Sequence, residues 1–180
     1  MTRKATSETE TLLRHWREAV PNDRLAHLIR DAARALVRGL TVRLAEHQVP
    51  FGHWSFLRVL WEGDGITQRE LSDRAGVMEP TTFSAIKTME QLGYVVRRRR
   101  SDDRKKIFIY LTPRGRLLKQ QLVPLAEEVN NIAVEGVPAE HVKIARSVLL
   151  AIIENMARDE VVSEKPMPST RVIAKLARRR

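Results

Sequence analysis

Seven cations stand within ten residues of this chain: Arg97, Arg98, Arg99, Arg100, Arg104, Lys105 and Lys106, diluted only by Asp102 and Asp103. Solvated protein faces normally mix their signs, so a run this one-sided suits a polyanion whose phosphates shed counterions when neutralised. Upstream lies a polar set at helical spacing, Glu79, Thr81, Thr82, Ser84, Lys87 and Thr88, with groups of the kinds that hydrogen-bond base edges. That set holds no arginine. The bidentate arginine–guanine pairing is therefore unavailable there, and much of the affinity must come from phosphates and the basic run.

The whole chain leans the same way. With 32 Lys+Arg against 22 Asp+Glu its formal net charge is +10, an excess that favours nucleic acid or an anionic membrane face. Other chemistry has little to work with. There is no Gly-rich phosphate loop, no Gly-x-Ser-x-Gly elbow and no His-Glu-x-x-His, so no enzymatic activity and no cofactor are expected. His15, His27, His47, His53 and His141 are scattered without metal-ligand spacing, and no metal site is expected. Cysteine is absent, which excludes disulfides and thiol redox switching. No apolar run approaches the roughly 18 residues that span a bilayer, and Met1 to Glu10 lacks the apolar core of a signal peptide. A cytoplasmic, nucleoid-associated protein without a membrane partner is expected.

The elements that position these residues follow from hydrophobic period and punctuation. From Asn22 to about His47, Leu25, Leu28, Ile29, Ala32, Leu36, Leu40 and Leu44 recur at three-and-four spacing, an amphipathic helix ended by Val49-Pro50-Phe51-Gly52. A shorter helix carries Trp54, Leu57, Leu60 and Trp61 inward, and Gly63-Asp64-Gly65 forms a turn. Thr67-Gln68-Arg69-Glu70 is a capping box that starts a third helix, burying Leu71 and Ala75 and ended by Gly76. Pro80 suits the first turn of a fourth, whose inner stripe is Thr82, Ile86 and Met89, with Phe83 beside them, and which Gly93 stops.

The period then changes. Tyr94-Val95-Val96 and Ile107-Phe108-Ile109-Tyr110-Leu111 read as strands, and the polar stretch from Arg97 to Lys106 as the charged tip of a hairpin. Thr112-Pro113 opens a helix through Leu117, Leu118, Leu122 and Leu125, which Pro124 should kink. Val137-Pro138 precedes a last long helix carrying Val142, Ile144, Ala145, Val148, Leu149, Ile152, Ile153 and Met156.

This order predicts a mainly α protein with a small β wing, a winged helix-turn-helix domain flanked by N- and C-terminal dimerisation helices. The expected division is a polar extension over 1–21, a first dimerisation helix over 22–48, the DNA-binding domain over 49–112, C-terminal dimerisation helices over 113–158 and a basic tail over 159–180. The second helix of such a pair fits the major groove while the first braces it, and the wing reaches an adjacent minor groove. The apolar stripes of the first and last helices exceed what a small winged domain covers, and a partner subunit would bury them. An intramolecular helical cap is the alternative.

Trp54–Leu57–Leu60, Thr67-Gln68-Arg69-Glu70-Leu71, Ala75-Gly76-Val77, Pro80-Thr81, Met89-Glu90, Leu92-Gly93-Tyr94-Val95, and Asp103-Arg104-Lys105 followed by Leu111-Thr112-Pro113-Arg114-Gly115 together resemble the MarR regulators over about residues 25–157. The resemblance implies a triangular homodimer on a palindromic double-stranded operator, acting as a repressor released by a small aromatic or phenolic acid or its thioester. It implies DNA contacts from Glu79, Thr81, Thr82, Ser84, Lys87 and Thr88, and from Arg97, Arg98, Arg100, Asp103, Arg104 and Lys105 in the wing. Counting back five residues from Leu111-Thr112 places the wing pattern at Asp103 with Lys105, and Asp102 with Arg104 offers the same motif one residue earlier, so either cation could be the minor-groove finger. For the effector, Trp54 and His53 fall in the implied place, with Arg43 or His47 as carboxylate partners. Each has a plainer reading: Trp54 as core, His53 and His47 as surface residues. A non-specific basic DNA- or RNA-associated protein, or a winged-helix regulator without a ligand, fits the composition too.

Overall fold

A computed structural model of the chain describes residues 10, 13, 14 and 25–163, with side chains to residue 159. The rest of the N-terminal extension, and the tail residues Arg171, Lys175, Arg178, Arg179 and Arg180, lie outside the described residues. The chain divides into two compact units, Met1–Ala133 and Val134–Arg180.

In the first unit, α1 (Leu25–Glu46) leads into α2 (Phe51–Glu62), β1 (Ile66–Thr67), α3 (Gln68–Ala75), α4 (Glu79–Gln91), the hairpin β2 (Val95–Arg98) and β3 (Phe108–Leu111), and α5 (Pro113–Ala133). The three strands form one antiparallel sheet in the order β1-β3-β2, with Val95 opposite Leu111 and Ile66 opposite Ile109. β1 is a finding the hydrophobic pattern did not predict. Two residues after a glycine turn are too short to show a period, and pairing with β3 alone defines them.

One core organises the unit. Leu44 of α1, Phe56, Leu57 and Leu60 of α2, Leu71 of α3, Ile86 and Met89 of α4, Val95 and Ile109 of the sheet and Leu122 of α5 are all nearly inaccessible to solvent. α5 packs against α1, α2 and β3, and continues as one helix through Pro124. α1 uses only the C-terminal end of its stripe: Leu40 and Leu44 are buried, whereas Leu25, Leu28 and Leu36 are exposed. Phe83, placed by the pattern beside the inner stripe of α4, is instead 51% exposed. It lies one residue past Thr82, which turns it about 100° around the helix, away from the core.

The second unit holds α6 (Ala139–Ser163), which runs beyond the predicted end at 158. None of its described residues is buried. Ile144, Val148, Leu149, Ile153 and Met156 are all exposed.

Candidate nucleic-acid interface

The geometry begins at Thr67. Its hydroxyl accepts the Glu70 amide at 3.3 Å while the Glu70 carboxylate accepts the Thr67 amide at 2.7 Å, so both halves of the capping box form. The Thr67 backbone bond first, then its hydroxyl, hold the Glu70 carboxyl below the usual glutamate range. Gly76 closes α3 at φ 63°, the left-handed cap that glycine adopts without strain. The angle between α3 and α4 is then set by a buried hydroxyl relay. Thr82 Oγ1 lies 3.1 Å from Ser72 Oγ and 3.2 Å from the Met78 carbonyl, and Ser72 Oγ donates to the Val77 carbonyl.

That relay corrects one expectation. Thr82 was a candidate base contact, but it is wholly buried and its hydroxyl is engaged inside the helix pair. It positions α4 and does not face a ligand. Glu79, Thr81, Ser84, Lys87 and Thr88 are exposed along the outer side of α4. Ser84 Oγ donates to the Pro80 carbonyl and Thr88 Oγ1 to the Ser84 carbonyl, each at 3.2 Å. Both hydroxyls thus spend their donors on the helix and present acceptors outward. Glu79 stands 4.0 Å from Arg69 on α3.

In the wing, the structure sorts the cations. Arg97 is fastened to α4: its guanidinium donates to Glu90 at 2.6 and 2.9 Å, and its backbone amide adds a third bond at 3.2 Å. The guanidinium bonds are the main reason the Glu90 carboxyl sits below its ordinary range. Arg100 pairs with Asp102 at 2.7 Å, which lowers that carboxyl, and also lies over the Phe108 ring at 5.0 Å. Asp103 Oδ1 accepts the backbone amides of Lys105 and Lys106 at 3.1 and 3.2 Å. With the Lys106 ammonium 3.6 Å from its other oxygen, the Asp103 carboxylate ties down the tip of the wing. Arg98, Arg99, Arg104 and Lys105 are exposed and have no ion-pair partner among the described residues. A cleft of about 520 Å³ lined by Arg98, Arg99, Arg100, Ser101, Asp102 and Tyr110 opens beside them.

The base of the wing depends on residues that sequence reasoning missed. Asp64 accepts the Leu111 amide at 2.9 Å and the Arg116 guanidinium at 2.7 Å, joining the turn before β1 to β3 and α5. Asp64 and Ser72 carried no signal because their partners lie far along the chain or are backbone groups, and Glu90, quoted only within the family pattern, meets Arg97 across the change from helix α4 to strand β2.

The effector candidates fare differently. Trp54 is 7% exposed and meets Trp61 edge-on, centroids 5.6 Å apart, as a core residue. Arg43 is taken: it pairs with Glu128 of α5 at 2.9 Å and donates to the Gly39 carbonyl, so it is not a spare carboxylate partner. His47 is half-buried. The surface reading of His53 is corrected, because the ring is 8% exposed and its Nδ1 has no hydrogen-bond partner among the described residues. It belongs to the same inward stripe of α2 as Leu57 and Leu60, four and then three residues further on.

Burial pushes the His53 pKa below the ordinary histidine range. The folded chain then resists a proton that the unfolded chain accepts, so this contribution to stability is complete above about pH 6.5 and declines as pH falls below it. The urea midpoint should drop between pH 7 and pH 5.5, above the carboxylate range. In His53→Leu that drop should largely vanish, and an equal drop in the variant would remove His53 as its source.

A family model described as MarR family matches residues 52–107, from α2 to the end of the wing tip. The HTH-type transcriptional regulator TtmR of Methylorubrum extorquens is 30% identical over 111 residues, 62% of this chain and 57% of that relative. This chain therefore spans little more than half of that regulator's length. The homoprotocatechuate degradative operon repressor of Escherichia coli is 28% identical over 99 residues, 55% of this chain and 65% of its own. Among solved structures, a putative MarR family transcriptional regulator from Listeria monocytogenes complexed with 26mer DNA superposes with a TM-score of 0.69 at 25% identity, covering 82% of this chain and 99% of that one.

Proposed function

We propose that this chain, whose residues 52–107 match the MarR family model, is a MarR-type regulator: a homodimeric, sequence-specific DNA-binding transcriptional regulator of the cytoplasm, and not an enzyme. The observation that carries this reading is the pairing of two surfaces in one unit. The outer side of α4 is solvent-exposed and its angle is fixed by the Ser72–Thr82 relay. The wing that follows presents Arg98, Arg99, Arg104 and Lys105 without acidic partners. A helix held proud of the domain reads a major groove, and unpaired guanidinium groups neutralise phosphates or enter a narrow minor groove. The DNA complex of the Listeria relative supports the same assignment.

Selection from random DNA should enrich a palindrome with half-sites about one helical turn, roughly 10 base pairs, apart. On that site, Arg98→Ala should flatten the slope of log K against log salt by about 0.9. Arg97→Ala should change it less, because that guanidinium is spent on Glu90. Whichever of Arg104→Ala and Lys105→Ala selectively weakens A·T-rich flanks marks the minor-groove finger. Enrichment of no common sequence would instead favour a non-specific basic protein.

We further propose that the chain is a repressor released by a small aromatic acid or its thioester. This reading is supported by the Escherichia coli relative, whose name makes it the repressor of a homoprotocatechuate degradative operon, and by a buried imidazole next to Trp54 with one nitrogen unused. An effector acts only through unequal affinity for two dimer shapes, and a coupling of about 1–3 kcal/mol shifts operator affinity 5–150-fold. Titration with benzoates, cinnamates and their coenzyme A esters tests it. No shift at millimolar concentration makes the chain a ligand-independent binder.

A further inference from the structure

The outer side of α4 carries one group that the polar inventory leaves out. Phe83 is 51% exposed, five residues after the helix N-cap Met78, which is itself 71% exposed. Scattered surface apolar residues need no explanation in general. Phe83 differs in its place, since it falls in one row with Glu79 four residues before it and Lys87 four residues after. That row lies in the part of the helix that enters a groove first. Two of its polar neighbours are limited to accepting: the Ser84 and Thr88 hydroxyl protons are spent on the helix backbone, and no arginine is present on α4.

We propose that Phe83 is a specificity-determining residue that reads the C5-methyl group of a thymine in the major groove, and this rests on the DNA-binding reading above. Thymine alone among the four bases presents a methyl group in that groove, and an aromatic ring meets it by apolar contact. Packing the ring on the methyl removes two exposed apolar surfaces from water at once. Lys87, one turn on, is placed to hold a phosphate or a purine acceptor beside it. The helix thereby gains a preference for thymine that hydroxyl groups, which donate to or accept from several bases, do not supply.

The test uses the full chain and the palindrome enriched from random DNA. Each thymine is replaced in turn by deoxyuridine, which removes the methyl group and leaves the base-pairing edge intact. One thymine per half-site should weaken binding about fourfold when replaced, the value of one buried methyl-sized group at roughly 0.8 kcal/mol, and about 15-fold when both are replaced. Phe83→Ala should bind the thymine site more weakly and no longer distinguish thymine from uracil. Phe83→Leu, which keeps an apolar group, should retain part of the discrimination and guards against a folding defect in the alanine variant. An enriched palindrome on which Phe83→Ala keeps the full thymine preference, or on which no uracil weakens binding, overturns this inference alone. Failure to enrich any sequence overturns the DNA-reading assignment and this inference with it.

Discussion

Leu149→Asp combined with Ile153→Asp is expected to convert the protein to monomers at micromolar concentration and to lower operator affinity by about a hundredfold or more. The reason is the surface of α6. Ala145, Val148, Leu149, Ile152, Ile153 and Met156 recur at three-and-four spacing, yet Val148, Leu149, Ile153 and Met156 are exposed in the single chain. A helix stripe of that length left to water is a large apolar patch. α1 adds Leu25, Leu28 and Leu36, exposed in the same way. A second copy of the chain would bury both. Each core position of such an interface contributes about 2 kcal/mol or more, and two-fold symmetry counts it twice. One substituted position therefore costs about 4 kcal/mol, near a thousandfold in dimer dissociation. The loss on DNA follows from avidity, because joining two binding modules raises affinity by about 10²–10⁴ over one alone. Sedimentation velocity and operator titration read the two effects separately. A natural chain that sediments as a monomer would defeat the argument, as would an aspartate variant that stays dimeric.

What the sequence disclosed and what it hid divide along the range of the interactions. The capping box is written in four consecutive residues, Thr67 to Glu70, and the structure forms both of its bonds. Gly76 ends α3 because a left-handed cap needs no more than one residue of the right kind. The strands of the wing were legible in their β-branched and aromatic runs, but Arg97 and Arg98, read from their charge as part of the tip, continue β2 opposite Ile109 and Phe108. Long-range pairs were not. Arg43 finds Glu128, and Asp64 finds Arg116, across most of the first unit, so neither Arg43 as a carboxylate ligand nor Asp64 as a turn residue could be judged locally. Thr82 shows two local signals in conflict. Its hydroxyl suggested a base contact while its spacing with Ile86 and Met89 pointed inward, and the period prevailed because Ser72 was there to satisfy the hydroxyl. For His53 residue type misled, although its spacing with Leu57 and Leu60 already placed it on the buried side.

Gly115→Ala is expected to destabilise the fold by roughly 2–3 kcal/mol, although the usual helix preference gives the opposite sign. Replacing a glycine by alanine inside a helix ordinarily stabilises by about 0.8–1 kcal/mol. Gly115 stands in the first turn of α5, with helical backbone and no positive φ, so propensity alone favours the alanine. Space forbids it. A Cβ there would lie 2.1 Å from the Tyr94 carbonyl oxygen and 3.1 Å from Leu111 Cδ2, and the first of these is backbone that has no rotamer to change. The surroundings are also tied down. The Tyr94 carbonyl accepts the Thr112 amide at 3.0 Å, Thr112 Oγ1 bonds the Gly93 carbonyl at 2.6 Å and accepts the Gly115 amide at 3.0 Å, and the Trp61 indole donates to the Gly115 carbonyl at 2.9 Å. Moving α5 aside by about an ångström would stretch several of these bonds, each contributing about 1 kcal/mol. It would also shift the start of β2, and with it the wing relative to α4, so DNA affinity should fall together with stability. Urea unfolding gives the sign directly. A Gly115→Ala chain as stable as the natural one would mean that α5 and the wing are free to separate, and the knot at Tyr94 would then not be what sets the wing in place.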